Sequence, residues 1–281
     1  MMRVFVLGFA ALLLAGCAAP RITNGVTIQD IHGLALDPDQ PSRLYVATHH
    51  GLFVAENDTA WRAVTERPFD MMGFTMHPDD GRVMYASGHP GQTGQGWAVG
   101  VVKSMDAGRT WTTLALKNEV DFHAMAMEGG QGGTPDAVYG FHGGKIHQSQ
   151  DGGVTWKSQA TSYDVEALAV DPATGDVLAA TGQGLFRASR SLSGAWARVA
   201  TGQTLAITAT HEKWVAYFAS SGLGQSIDGG NTWTALNWSA PANDYPWGLA
   251  ATPSGSTLYA GTARGTIHKS MDDGGMWVRV R

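Results

Sequence analysis

Four aspartates recur along this chain, Asp30, Asp70, Asp121 and Asp164, and two residues after each stands His32, Met72, His123 or Glu166. Between and beyond them come His49 with His50, His89 and His142. Imidazole and carboxylate converging on one point suit two kinds of chemistry. One is coordination of a transition metal such as Cu or Zn, the carboxylates acting as ligands or as partners that fix the imidazole tautomers. The other is proton transfer, because histidine titrates near neutral pH. Met72 adds a soft donor of the kind Cu(I) favours. No His-x-x-x-His helix and no Cys pair accompanies these residues, so any such site must be assembled by the fold. Singly, each has an ordinary structural role, Asp as a turn cap and His bonded to backbone near a strand end.

The elements that would position them follow from an internal repeat. Ser104-Met105-Asp106-Ala107-Gly108-Arg109-Thr110-Trp111 recurs as Ser149 to Trp156, Ser226 to Trp233 and Ser270 to Trp277, and decayed copies keep Trp61 and Trp196. Successive tryptophans lie 37 to 50 residues apart, close to the ~40–45 residues of a four-stranded propeller blade. Before each copy the order is constant. Ile31 to Leu36 reads as an inner strand, Arg43 to Thr48 as a second, Gly51 to Val54 as a third, and a strand opened by Trp61 as the outer one. Inner strands are expected again at Phe122 to Met127, Val165 to Asp171, Thr204 to Thr210 and Trp247 to Pro253. The expected fold is all-β, a single propeller of six four-stranded blades over residues 28–281.

The repeated octapeptide resembles the Asp box, Ser-x-Asp-x-Gly-x-Thr-Trp, of BNR-repeat propellers, a group that includes sialidases, sortilin-type receptors, xyloglucanases and a photosystem assembly factor. In that resemblance Asp106, Asp151, Asp228 and Asp272 are structural: the carboxylate accepts turn N–H groups, Gly supplies positive φ and Trp packs between blades. The segments Ile31-His32-Gly33-Leu34, Thr48-His49-His50-Gly51-Leu52-Phe53, Ser87-Gly88-His89-Pro90 and Asp121-Phe122-His123-Ala124 also resemble short bacterial lipoprotein propellers labelled glycosylhydrolase-like. That likeness carries over no reaction.

In an antiparallel blade the inner strand starts, and the second strand ends, on one face of the disk, with the Asp boxes on the opposite face. The histidine positions therefore share a mouth: six of the ten histidines map there, all in blades one to three. Gln203 with Leu205 and Tyr245 with Trp247 fill the equivalent places in the last two blades. The expected ligand set is His32, His49, His50, His89, His123, His142, Asp30, Asp70, Asp121 and Met72, although adjacent His49 and His50 would point to opposite sides of a strand. An enzyme would instead use Asp30, Asp164 and Glu166 as glycoside-hydrolase carboxylates, with aromatic rings beside them for sugar stacking. Arg21-Ile22-Thr23 lacks the proline of the sialidase motif, and no inner-strand start in blades one to four carries Arg, which argues against sialidase chemistry.

The first residues give the compartment. Met1-Met2-Arg3 precedes an apolar run, Val4 to Leu14, and Leu14-Ala15-Gly16-Cys17 ends it. A run this short is a signal-peptide core, since a span needs about 20 apolar residues. The tetrapeptide resembles a bacterial lipobox, implying cleavage after residue 16, acylation of Cys17 and a short tether over 18–27. Ala18 after the Cys favours the outer membrane facing the periplasm in a Gram-negative host. Cys17 is the only cysteine, so the mature protein has no disulfide and no thiol site. Net charge is −5 with 15% charged residues and no basic run, which disfavours nucleic acid as a partner. The expected function is that of an envelope lipoprotein whose mouth binds a small ligand or a transition metal. A glycoside hydrolase-like enzyme is the alternative, and a protein-interaction scaffold a second one.

Overall fold

A computed structural model describes residues 28–91 and 94–281; the signal peptide, Cys17 and the tether lie outside the described residues. The chain forms six sheets of four antiparallel strands, each made of four consecutive strands, arranged as a six-bladed β-propeller. The inner strands are Ile31–Leu36, Asp70–Met76, Ala124–Glu128, Val165–Val170, Thr204–Ala209 and Pro246–Ala251. The second strands are Arg43–Thr48, Met84–His89, Ala137–His142, Val177–Thr181, Trp214–Phe218 and Leu258–Thr262. Each of the six tryptophans immediately precedes an outer strand, as Trp156 precedes Lys157–Ala160.

Why the second strands are buried along nearly their whole length is clear from what they face. Side chains alternate between the two sides of a strand, and here both sides are covered. Leu44 and Val46 pack with blade 6, while Tyr45 and Ala47 pack with blade 2. Six such apolar clusters occupy the interfaces between neighbouring blades, and each takes in one of the tryptophans. In four blades the indole N–H also donates to the glycine carbonyl of the preceding turn, as Trp156 does to Gly153 at 3.0 Å.

The four Ser-x-Asp turns occupy the face away from the mouth, because the serine opening each turn pairs with the start of the second strand (Val138 with Ser149, Leu258 with Ser270). Their carboxylates are occupied locally. Asp151 accepts from the Thr155 amide at 2.9 Å and from the hydroxyls of Ser149 and Thr155. Those hydrogen bonds hold Asp151 at a pKa of about 2.

Among the described residues each blade is built from four consecutive strands, and blades 1 and 6 are joined by an apolar cluster, by the Asp30 amide on the Ala263 carbonyl and by polar side chains. Asp58 of blade 1 accepts from Tyr259 Oη at 2.8 Å and from Lys269 Nζ at 2.7 Å in blade 6. The same latch joins blades 2 and 3, where Asp136 accepts from Tyr85 at 2.7 Å, faces Lys103 at 3.4 Å and pairs with His77 at 3.3 Å.

Candidate functional site

The inner strands do not start in regular register. In five blades a one-residue shift interrupts pairing with the second strand, between Ile31 and Gly33, Met71 and Gly73, Val165 and Ala167, Thr204 and Ala206, and Pro246 and Gly248. The unpaired residue at each shift is His32, Met72, Glu166, Leu205 or Trp247. A bulge frees one residue from the ladder and re-aims its side chain. In blade 3 the strand begins only at Ala124, not at Phe122 as the sequence suggests, which leaves His123 just ahead of it.

Each of these six residues is followed by Gly or Ala, and crowding near the axis is the reason. A Cβ on Gly73 would lie 2.4 Å from the Phe122 carbonyl oxygen.

Two histidine–carboxylate clusters form at neighbouring blade junctions, the first with His32 on its bulge and the second with His123 just ahead of its strand. Between blades 1 and 2, Asp70 Oδ1 lies 2.7 Å from His49 Nδ1, and His49 Nε2 lies 3.0 Å from His32 Nε2. The rings of His32 and His49 meet edge to face, and Trp247 packs on His32 with centroids 4.9 Å apart. Between blades 2 and 3, Asp121 Oδ2 lies 2.9 Å from His123 Nε2 and 3.3 Å from His89 Nε2. His142 Nδ1 donates to the Asp121 carbonyl at 2.9 Å, and Trp97 lies beside its ring.

The environment divides these histidines electrically. His32 is only 7% exposed; burial, and then the neighbouring His49, push its pKa down to about 4 against the weaker pull of Asp70. The hydrogen bond to Asp121 raises His123, burial opposing it. Glu166 is raised by burial and then by Asp164.

Other expected site residues stay apart. His50 is exposed on the turn after its strand, and its backbone N–H donates to Thr48 Oγ1. Asp30 and Asp164 are also exposed, and Asp30, in the left-handed region at φ 53°, donates its amide to the Ala263 carbonyl. Met72 is buried. Among the described residues no three His, Cys, Asp or Glu side chains form a ready-made metal cage. The imidazole nitrogens face one another and the carboxylates instead.

Behind the mouth an axial channel of about 380 Å³ is lined by all six inner strands, with His32, His123, Glu166 and Trp247 at one end and Asp37, His77 and His211 at the other. The Asp136 latch has no local signature in the chain, because its partners come from the neighbouring blade.

No protein-family model and no curated protein sequence matches the chain. Solved structures do resemble it. A GH74 xyloglucanase from Xanthomonas campestris aligns with a TM-score of 0.59 at 17% identity, over 89% of this chain and 45% of that one. PorZ, an essential surface component of the type-IX secretion system of Porphyromonas gingivalis, gives 0.57 at 13%, over 91% and 32%. YCF48 bound to D1 peptide gives 0.53 at 13%, over 89% and 82%. The chain thus spans less than half of the GH74 enzymes it resembles. At these identities the likeness establishes the propeller fold alone.

Proposed function

We propose that this chain is a lipid-anchored envelope protein whose propeller mouth captures a transition-metal ion, copper or zinc. The observation that carries this reading is the pair of Nε2 atoms of His32 and His49, 3.0 Å apart, with the other His49 nitrogen held by Asp70. A carboxylate on one imidazole nitrogen is the usual arrangement behind a metal-ligating histidine, since it fixes the tautomer and raises basicity. Two nitrogens bound at ~2.0–2.1 Å to a tetrahedral ion stand about 3.3–3.4 Å apart. A shift of a few tenths of an ångström would therefore exchange the shared proton for an ion. With only two imidazoles poised, coordination positions remain for water or a ligand, which suits capture and release better than a permanent structural site.

Zn2+ or Cu2+ at 100 times its Kd is expected to stabilise the protein by about 2.7 kcal/mol, read as a rise in Tm. The His32→Ala/His49→Ala double variant is expected to show none of it. Equal stabilisation of both proteins would refute the assignment.

A second reading, a glycoside hydrolase, is favoured by Glu166, whose raised pKa beside Asp164 suits a general acid, and by the likeness to GH74 enzymes. Glycoside hydrolysis that disappears in Glu166→Gln and persists in the double histidine variant would favour it over metal capture.

The envelope location rests on Leu14-Ala15-Gly16-Cys17. Ile28 enters the fold on the mouth face, its carbonyl against Gly265 in the turn after the second strand of blade 6. A tether of residues 18–27 reaches roughly 35 Å when fully extended, which would keep the mouth close to the bilayer. Cys17→Ala is expected to move the protein from the membrane to the soluble fraction. Unchanged membrane partition would remove the anchor from this account.

A further inference from the structure

We infer that the mouth face docks on the bilayer that carries the anchor, seating Trp97 and Tyr245 among the lipid headgroups. This rests on the lipid-anchor reading and adds a second, non-covalent contact to it.

Trp97 and Tyr245 are the aromatic members of the exposed large side chains, at 51% and 48%, and they flank blade 1 on the mouth face. Tyr245 stands just ahead of the inner strand of blade 6, and Trp97 lies between the second and third strands of blade 2. Trp97 is held outward by the fold. Its indole N–H donates to the Asn118 carbonyl at 2.9 Å, and its amide donates to Asn118 Oδ1 at 3.0 Å. Gly96, at φ 96°, brings the chain so close that a Cβ there would lie 2.1 Å from Asn118 Oδ1. A ring fixed in this way meets a partner at little cost in conformational entropy.

Where the chain enters the propeller is an independent pointer to the same sector. The Ala263 amide donates to the Tyr245 carbonyl at 3.0 Å, and the Asp30 amide donates to the Ala263 carbonyl at 3.1 Å. Ile28 lies against Gly265 of that same turn. Only residues 18–27 separate this point from Cys17, so an acyl chain on Cys17 brings Tyr245 to the membrane surface with it. At headgroup level an indole or phenol buries its apolar body while its polar edge stays hydrated.

Charge sets the orientation. Lys117 and Arg264 are exposed beside the two aromatics, and Asp30 and Glu119 are exposed in the same sector, so the contact does not depend on anionic lipid. Across the ring, blade 4 exposes Asp164 and Glu166, and covering those carboxylates with lipid would strip their water. The disk therefore tilts, with blades 6, 1 and 2 down and the blade 4 side of the mouth open to an arriving ion. The other exposed apolar side chains, Met105, Val154, Ile227, Met271, Met276 and Val278, are aliphatic. They lie in the Asp-box turns or, for Val278, on an outer strand, spread over four blades. Two aromatics are too few to hold the protein on a bilayer without the acyl group, so Cys17→Ala still releases it.

The test uses the acylated full chain on phosphatidylcholine vesicles, with one nitroxide label on Lys117→Cys, Arg264→Cys or Ile227→Cys. Collision of the label with a water-soluble nickel chelate is read by electron paramagnetic resonance. Labels at 117 and 264 are expected to collide several-fold less often than the label at 227. Adding Trp97→Ala/Tyr245→Ala is expected to raise both to the level at 227 while the chain stays on the vesicles. Equal collision at all three positions in the vesicle-bound protein overturns the docking and leaves the anchor standing. Shielding that persists without the two aromatics overturns their role, the tether alone being sufficient. A chain unacylated at Cys17 and free in solution overturns the anchor, and the docking with it.

Discussion

Asp136→Ala is expected to lower folding stability by about 3 kcal/mol, because it strips a hydrogen-bonded carboxylate from three partners at once. Tyr85, His77 and Lys103 all belong to blade 2, and Asp136 to blade 3, so the loss falls on the contact between blades. The pH dependence identifies the cause. Burial pushes the Asp136 carboxyl up, but the bonds from His77, Tyr85 and the Gly130 amide, with the Lys103 charge, outweigh it and hold the group well below the usual carboxylate range. Its contribution is present above the ordinary carboxylate pKa of about 4 and is lost as pH falls through the lower folded value. The bond to Asp136 raises His77, burial opposing. That contribution is complete below about 6.5 and is lost as pH rises through the raised value. The stability gap between wild type and variant should therefore be widest between about pH 4 and 6.5 and narrow on both sides. Urea denaturation from pH 3 to 9 reads it directly, and a gap that stays constant would show that packing rather than the ion pair holds this junction.

The second large effect is acid sensitivity centred on His32. Its folded pKa is about 4, against 6.5 for the free side chain. Between those values the unfolded chain binds a proton that the folded chain refuses. Stability therefore falls as pH drops below 6.5, and the loss is complete near pH 4. For a group only 7% exposed the loss is on the order of 3 kcal/mol. His32→Gln removes the titrating group, so its stability should lie below wild type at neutral pH, where the contact with His49 is gone, and fall less between pH 6.5 and 4. Parallel pH profiles for the two proteins would refute the burial argument. The consequence for the mouth differs from what an ordinary histidine pKa near 6.5 suggests. His32 stays neutral, with a lone pair available to an ion, through mildly acidic conditions.

How much of this was readable in the sequence depends on the distance over which each feature is fixed. The octapeptide ending in Trp111, Trp156, Trp233 or Trp277 is a local unit: Ser, Asp, Gly and Thr satisfy one another within a turn, and the indole anchors the strand that follows. Blade number, strand order and the face carrying the histidines therefore follow from the repeat and the antiparallel rule. Which histidines meet does not. His49 and His50 are neighbours in the chain, yet one bonds to Asp70 and the other faces solvent, because the turn out of the second strand separates them. Asp30 and Asp70 occupy matching places in the repeat, but a left-handed backbone turns Asp30 outward.

Sequence by itself determined the propeller, since hydrophobic alternation, turn chemistry and tryptophan spacing are all satisfied within a blade. Only the tertiary structure decided the chemistry of the mouth. The contacts that place His49 against Asp70 and His89 against Asp121 join residues of different blades, and Trp247 of blade 6 packs on His32 of blade 1, whose burial lowers its pKa. Their geometry depends on one-residue bulges and on burial at the channel mouth, which no local pattern of residue types encodes.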